Sequence, residues 1–86
     1  MSTMNTVEKL KRILRDTLQL GARADAFTAD TPLLGAIPEF DSMAVVNVLA
    51  MIESEFGITV DDTDVSADVF ETLGSLARFV EGNAGR

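Results

Sequence analysis

Ser42 stands in the run Glu39-Phe40-Asp41-Ser42-Met43, directly after a loop containing Pro38 and directly before a stretch of helix-forming residues. The chain contains no Cys and no His. A serine attacks a substrate only when a base takes its proton. No imidazole exists to do so, and Lys9 and Lys11 fall on the solvent side of the first expected helix. What remains is a serine hydroxyl at the mouth of a helix in an acidic small domain. That arrangement suits a serine modified by another enzyme.

Asp41 directly before a helix also has a plain structural reading as its N-cap. The two readings are compatible. A serine at the first helical position points outward, beside unpaired backbone N–H groups and the positive end of the helix dipole. That is a favourable place for a phosphate diester.

Other chemistries fail on particular residues. The acidic run Asp62-Thr63-Asp64-Val65-Ser66-Ala67-Asp68 invites a calcium-loop reading. Ala67 occupies the turn position that requires glycine, and Leu73 the position that requires a bidentate Glu. The best zinc and transition-metal ligands are missing, so no metal site is expected. Paired carboxylates such as Asp61 and Asp62 have no deep pocket to work in on so short a chain. No catalytic residue is assigned, and the protein is expected not to be an enzyme.

The formal net charge is −7, unevenly placed. No basic residue occurs from Ala24 to Ala77, a stretch that holds most of the acids. Such a field repels nucleic-acid phosphates and anionic lipid and attracts basic partner surfaces. No run approaches the roughly 18 apolar residues of a membrane span. Met1-Ser2-Thr3-Met4-Asn5 lacks the basic start and apolar core of a signal peptide. A cytoplasmic protein without membrane insertion or nucleic-acid binding is expected, as a single domain over 1–86.

These chemical groups need a scaffold, and the periodicity supplies one. Val7, Leu10, Ile13, Leu14 and Leu18 predict a helix from about Thr6 to Leu20, capped by Asn5 or Thr6 and ended by Gly21. The pattern disappears from Ala22 to Asp41, where Leu33, Leu34, Ile37 and Phe40 predict an ordered loop anchored on the helices. A second helix is expected from Ser42 to about Glu55, ended by Gly57. Its inner stripe is Val45, Leu49, Ile52 and Phe56, widened by Val46 and Val48. Its outer face carries Met43, Ala44, Asn47, Ala50, Met51 and Ser54, nearly uncharged, which is unusual for a solvent face. Ile58-Thr59-Val60 reads as an extended lead-in to a loop, since no partner strand exists. Ser66 to Phe70 predicts one short helical turn. Thr72 then caps a last helix from Leu73 to about Glu81, ended by Gly82 and Gly85. The fold class is all-α: a small bundle of three main helices and one short one, with a long ordered loop between the first two.

Asp41-Ser42-Met43 resembles the Asp-Ser-Leu signature of acyl carrier proteins and related peptidyl carrier domains. The resemblance covers nearly all of the chain. It takes in the amphipathic first helix, the loop with Thr31-Pro32-Leu33-Leu34-Gly35 and the helix end Glu53-Ser54-Glu55-Phe56-Gly57. It continues through Ile58-Thr59-Val60-Asp61-Asp62 and Phe70-Glu71-Thr72-Leu73 to Leu76 and Phe79-Val80.

The resemblance implies a carrier. A phosphopantetheinyl transferase moves the 4'-phosphopantetheine arm of coenzyme A onto the signature serine, here Ser42, with Asp41 as helix cap and part of what the transferase recognises. The arm's thiol holds acyl or aminoacyl groups as thioesters, and a chain without Cys fits that role. An acyl-loading ligase or acyltransferase and a downstream synthase are the implied partners of a monomer. Two departures point to a specialised carrier. Met43 replaces the usual leucine, and Ala44, Asn47, Ala50 and Met51 stand where fatty-acid carriers display acids. Phe40 before the signature also looks like specialised or aminoacyl-type carriers, among them those encoded with AMP-forming ligases. Met43, Ala44, Asn47 and Met51 are the expected docking residues. The competing reading is a small helical interaction module with no prosthetic group, using the same neutral face as its docking groove.

Overall fold

The computed structural model describes residues 3–61 and 65–84. Three α-helices carry the architecture: α1 (Thr3–Leu18), α2 (Ser42–Phe56) and α3 (Leu73–Ala84). Short 3-10 helices occupy Gly21–Ala26 and Ala67–Phe70. Among the described residues there is no strand, only an isolated antiparallel bridge between Pro32 and Thr72. Ile58-Thr59-Val60 is irregular, as expected.

α1 packs against both α2 and α3. Its Val7, Leu10, Ile13 and Leu14 meet Val48 and Ile52 of α2 and Leu73, Leu76, Ala77 and Val80 of α3 in one buried cluster. Helix α1 begins earlier and ends sooner than its periodicity suggests. Thr6 is not a cap. It is fully buried, and its hydroxyl donates to Glu81 Oε2 at 3.1 Å, tying α1 to α3. The end is set by Gln19, whose φ of 55° is left-handed, and the Leu20 amide closes back on the Arg15 carbonyl at 3.0 Å. This pairing satisfies an orphan carbonyl of the last turn. Gly21 instead opens the first 3-10 helix.

The long loop is held by backbone pairing that side-chain periodicity does not reveal. Leu33 N–H donates to Glu71 O at 3.1 Å and Leu34 N–H to Phe70 O at 3.0 Å. In return, Leu73 N–H donates to Thr31 O at 2.9 Å and Gly74 N–H to Ala29 O at 2.7 Å. Leu33, Ile37 and Phe40 anchor the loop in the core, whereas Leu34 is 44% exposed.

At the start of α3, Thr72 caps as expected. Its hydroxyl accepts from Ser75 N–H at 3.1 Å, and Ser75 Oγ accepts from Thr72 N–H at 3.0 Å. This is a reciprocal capping box with serine in place of the acid. Gly82 lies inside α3 and does not end it. Gly85 and the Asp62-Thr63-Asp64 portion of the rejected calcium loop lie outside the described residues.

Candidate functional site

Three short-range features place Ser42. The Phe40 amide donates to Ile37 O at 2.9 Å, turning the chain after Pro38. Phe40 is then buried, its ring meeting Phe70 edge-on with centroids 5.4 Å apart. The next residue, Asp41, is extended (φ −99°, ψ −171°), and its Oδ1 accepts from Ala44 N–H at 2.9 Å. Its carbonyl accepts from Val45 N–H at 3.0 Å. The cap thus uses the third and fourth amides of α2. The amides of Ser42 and Met43 make no hydrogen bond within the described residues, which leaves them at the positive end of the dipole.

Ser42 is exposed and opens the helix. Beside it runs an open groove of about 570 Å³, lined by Leu34, Val45, Val65, Ala67 and Phe70 together with the polar Asp41, Ser42 and Ser66. That volume lies within the range of small-molecule sites, roughly 300–1,000 Å³. A serine hydroxyl open to solvent, two unpaired amides and an adjoining, largely apolar groove fit a flexible arm attached through a phosphate. Among the described residues no group of His, Cys, Asp or Glu is placed to hold a metal.

Upstream of the site, Arg23 forms a two-pronged ion pair with Glu39. Nη2 donates to Oε1 at 3.0 Å, and Nη1 to Oε2. The pair ties the first 3-10 helix to the chain three residues before Ser42. The hydrogen bond from Arg23 is the main cause that holds the Glu39 carboxyl below its ordinary value, and it raises Arg23 in turn.

The structure has Asp41 as the cap and Ser42 as the first residue of α2, and it departs from expectation over part of the neighbouring face. Ala44 is 6% exposed, so it does not face out. It lies in one buried cluster with Leu33, Ile37 and Phe40, because the loop folds over the first turn of α2. The inner line is Ala44, Val48 and Ile52, flanked by half-buried Val45, Leu49 and Phe56. Val46, expected inside, is 59% exposed. Met43 at 68% and Met51 at 41% do face solvent, as does Asn47. The groove was not read from sequence. Its walls come from the loop, α2 and the second 3-10 helix; of its apolar lining, the sequence marks Leu34 and Val45 as packing residues and Phe70 as the end of a short helical turn, and nothing in it brings them together.

A model of the phosphopantetheine attachment site family matches residues 8–80. The chain belongs to this family. It is a carrier that bears a covalent 4'-phosphopantetheine arm, and it is not an enzyme. The match sets aside the reading as an interaction module without a prosthetic group. The carrier is also similar to the holo acyl carrier protein from Nitrosomonas europaea, whose structure was solved by solution NMR. The two are 52% identical, and the alignment covers 93% of this chain and 96% of that one with a TM-score of 0.87. The all-α architecture of the carrier is thus that of an acyl carrier protein. No described helix is long and apolar enough to cross a membrane.

Proposed function

We propose that Ser42 is the residue that carries the arm, and that the protein presents acyl or aminoacyl groups to partner enzymes in a specialised pathway. The observation that carries this reading is the exposed Ser42 hydroxyl on the first residue of α2, flanked by the Asp41 cap and two unpaired amides. When attached, the arm supplies the thiol on which cargo is held as a thioester.

In the loading step, Ser42 Oγ forms the bond to phosphorus while the diphosphate bridge of coenzyme A breaks. Adenosine 3',5'-bisphosphate leaves, and the hydroxyl proton passes to a base of the transferase. No imidazole of this chain can take it, since the chain has no His. The helix dipole and the Ser42 and Met43 amides stabilise the negative charge of the resulting diester.

Support for a specialised role comes from α2. Its exposed residues Met43, Val46, Asn47, Ala50 and Met51 are uncharged, and acids return only at Glu53 and Glu55. Enzymes that dock through basic patches find little to grip there. Met43, Asn47 and Met51 form the docking surface for a loading ligase or acyltransferase and for a downstream synthase. Val46 joins them and Ala44 does not. The carrier works as a cytoplasmic monomer.

Intact mass after incubation with coenzyme A and a broad-specificity phosphopantetheinyl transferase tests the assignment. One arm is expected on the wild type and none on Ser42→Ala, whose helical circular dichroism stays unchanged. An arm on the Ala variant would sink it.

A further inference from the structure

Cargo on an arm at Ser42 has two places to cover apolar atoms: the open groove beside α2, and the interior between the helices. Phe70 belongs to both. It lines the groove, yet it is only 2% exposed and packs in the buried cluster. Phe40 backs it in the edge-to-face contact and is 3% exposed. The two rings share one buried cluster with Val48, Ile52, Leu73 and Leu76, all four without solvent exposure.

We propose that the Phe40–Phe70 pair determines cargo class by closing the bundle interior to acyl chains. It confines cargo to the groove and favours a short acyl or aminoacyl group that stays open to partner enzymes. The proposal rests on Ser42 as the attachment point.

The pair is fixed from both sides. Phe70 O accepts the Leu34 amide at 3.0 Å, and the Phe40 amide donates to Ile37 O at 2.9 Å. A long chain could enter only by displacing two buried rings that also gain from each other through their edge-to-face contact. The groove itself offers limited cover. Leu34 is nearly half exposed, Ala67 is exposed, and Val45 and Val65 are half-buried. It suits a few carbons, and the far end of a long chain would lie in water.

The test compares butyryl and lauroyl thioesters on the full-length carrier. Intact mass first shows that each chain bears its acylated arm at Ser42. Backbone amide shifts and the rate of thioester cleavage by hydroxylamine are then measured. On the wild type, both acyl groups are expected to shift groove residues such as Leu34, Val45 and Ala67, and to be cleaved at similar rates. In Phe70→Ala, lauroyl cleavage is expected to slow on the order of tenfold, the worth of covering about two methylene groups. Phe40→Leu and Phe70→Leu, milder changes that remove one ring each, are expected to slow it in the same direction. Lauroyl on the wild type that shifts the amides of Val48, Ile52 and Leu76 and resists hydroxylamine overturns the gate alone. So do folded variants that leave lauroyl cleavage unchanged. A mass showing no arm at Ser42 overturns the attachment reading and the gate together.

Discussion

Asp41 Oδ1 accepts the backbone N–H of Ala44 at 2.9 Å, and Ser42 and Met43 are the two residues held between them. The same carboxylate therefore starts α2 and fixes the direction in which the serine faces. Losing an N-cap costs about 1 kcal/mol, while Asn caps nearly as well as Asp. Asp41→Ala is expected to lose about that much in chemical denaturation, and Asp41→Asn much less. If the transferase reads the charge as well as the shape, Asp41→Asn will load slowly while folding well. Equal loading rates for wild type and Asp41→Asn would assign Asp41 to the cap alone.

The Arg23–Glu39 pair predicts a small acid-dependent term. Glu39 titrates below its ordinary value of 4.5, chiefly through the hydrogen bond from Arg23. A carboxyl lowered in the folded state contributes stability above its unfolded pKa, and that contribution is lost as pH falls through the folded value. The pair is exposed, so the term is small. The difference in Tm between wild type and Glu39→Gln should be present at neutral pH, shrink below 4.5 and vanish once the folded carboxyl is protonated. A difference that persists unchanged into acid would show that the charge on Glu39 contributes nothing.

How much of this was legible in sequence differs from residue to residue. The Asp41 cap, the Gly57 end of α2 and the Thr72 cap of α3 are local, since each is decided within a turn of chain, and all three read correctly. The phase of α2 is not local. Six apolar residues lie within reach of the core, and a helical wheel cannot tell that the loop at Leu33, Ile37 and Phe40 will cover the first turn. That cover draws Ala44 inward and leaves Val46, about 200° around the helix from it, in solvent. Gln19 hides for a different reason: a non-glycine residue in the left-handed region carries no obvious signal, so Gly21, two residues on, drew the assignment. The groove was invisible because its walls come from segments far apart in the chain.

Gly74 is where the loop comes closest to α3. Its N–H donates to Ala29 O at 2.7 Å, and a Cβ there would lie 2.8 Å from that same oxygen. Backbone must move to admit it, so Gly74→Ala is expected to cost about 1–3 kcal/mol in urea denaturation. Gly82 is the control. It also sits in α3, and a Cβ there meets nothing within 4 Å. Gly82→Ala is expected to stabilise by up to about 1 kcal/mol through helix propensity. Equal effects at the two positions would contradict the close approach at Ala29.

Two substitutions on α2 separate docking from folding. Met51 is 41% exposed, so Met51→Glu should alter stability by no more than about 0.5 kcal/mol. Ala44 is buried among loop and helix residues, so Ala44→Glu forces a charge into the core and should cost about 2 kcal/mol or more. Interface cores are depleted of charge. If partners dock on the neutral face, Met51→Glu leaves melting nearly unchanged yet weakens acyl transfer to or from the cognate ligase or acyltransferase. Enzymes that grip acidic carrier helices should use the wild type poorly for the same reason. Transfer by a fatty-acid ketosynthase can be compared with transfer by an enzyme encoded beside this gene. Equal efficiency with both, together with no effect of Met51→Glu, would place recognition on another face of the bundle. A selective loss in Met51→Glu would place it on the exposed side of α2, where Met43, Val46, Asn47 and Met51 leave an uncharged surface beside Ser42.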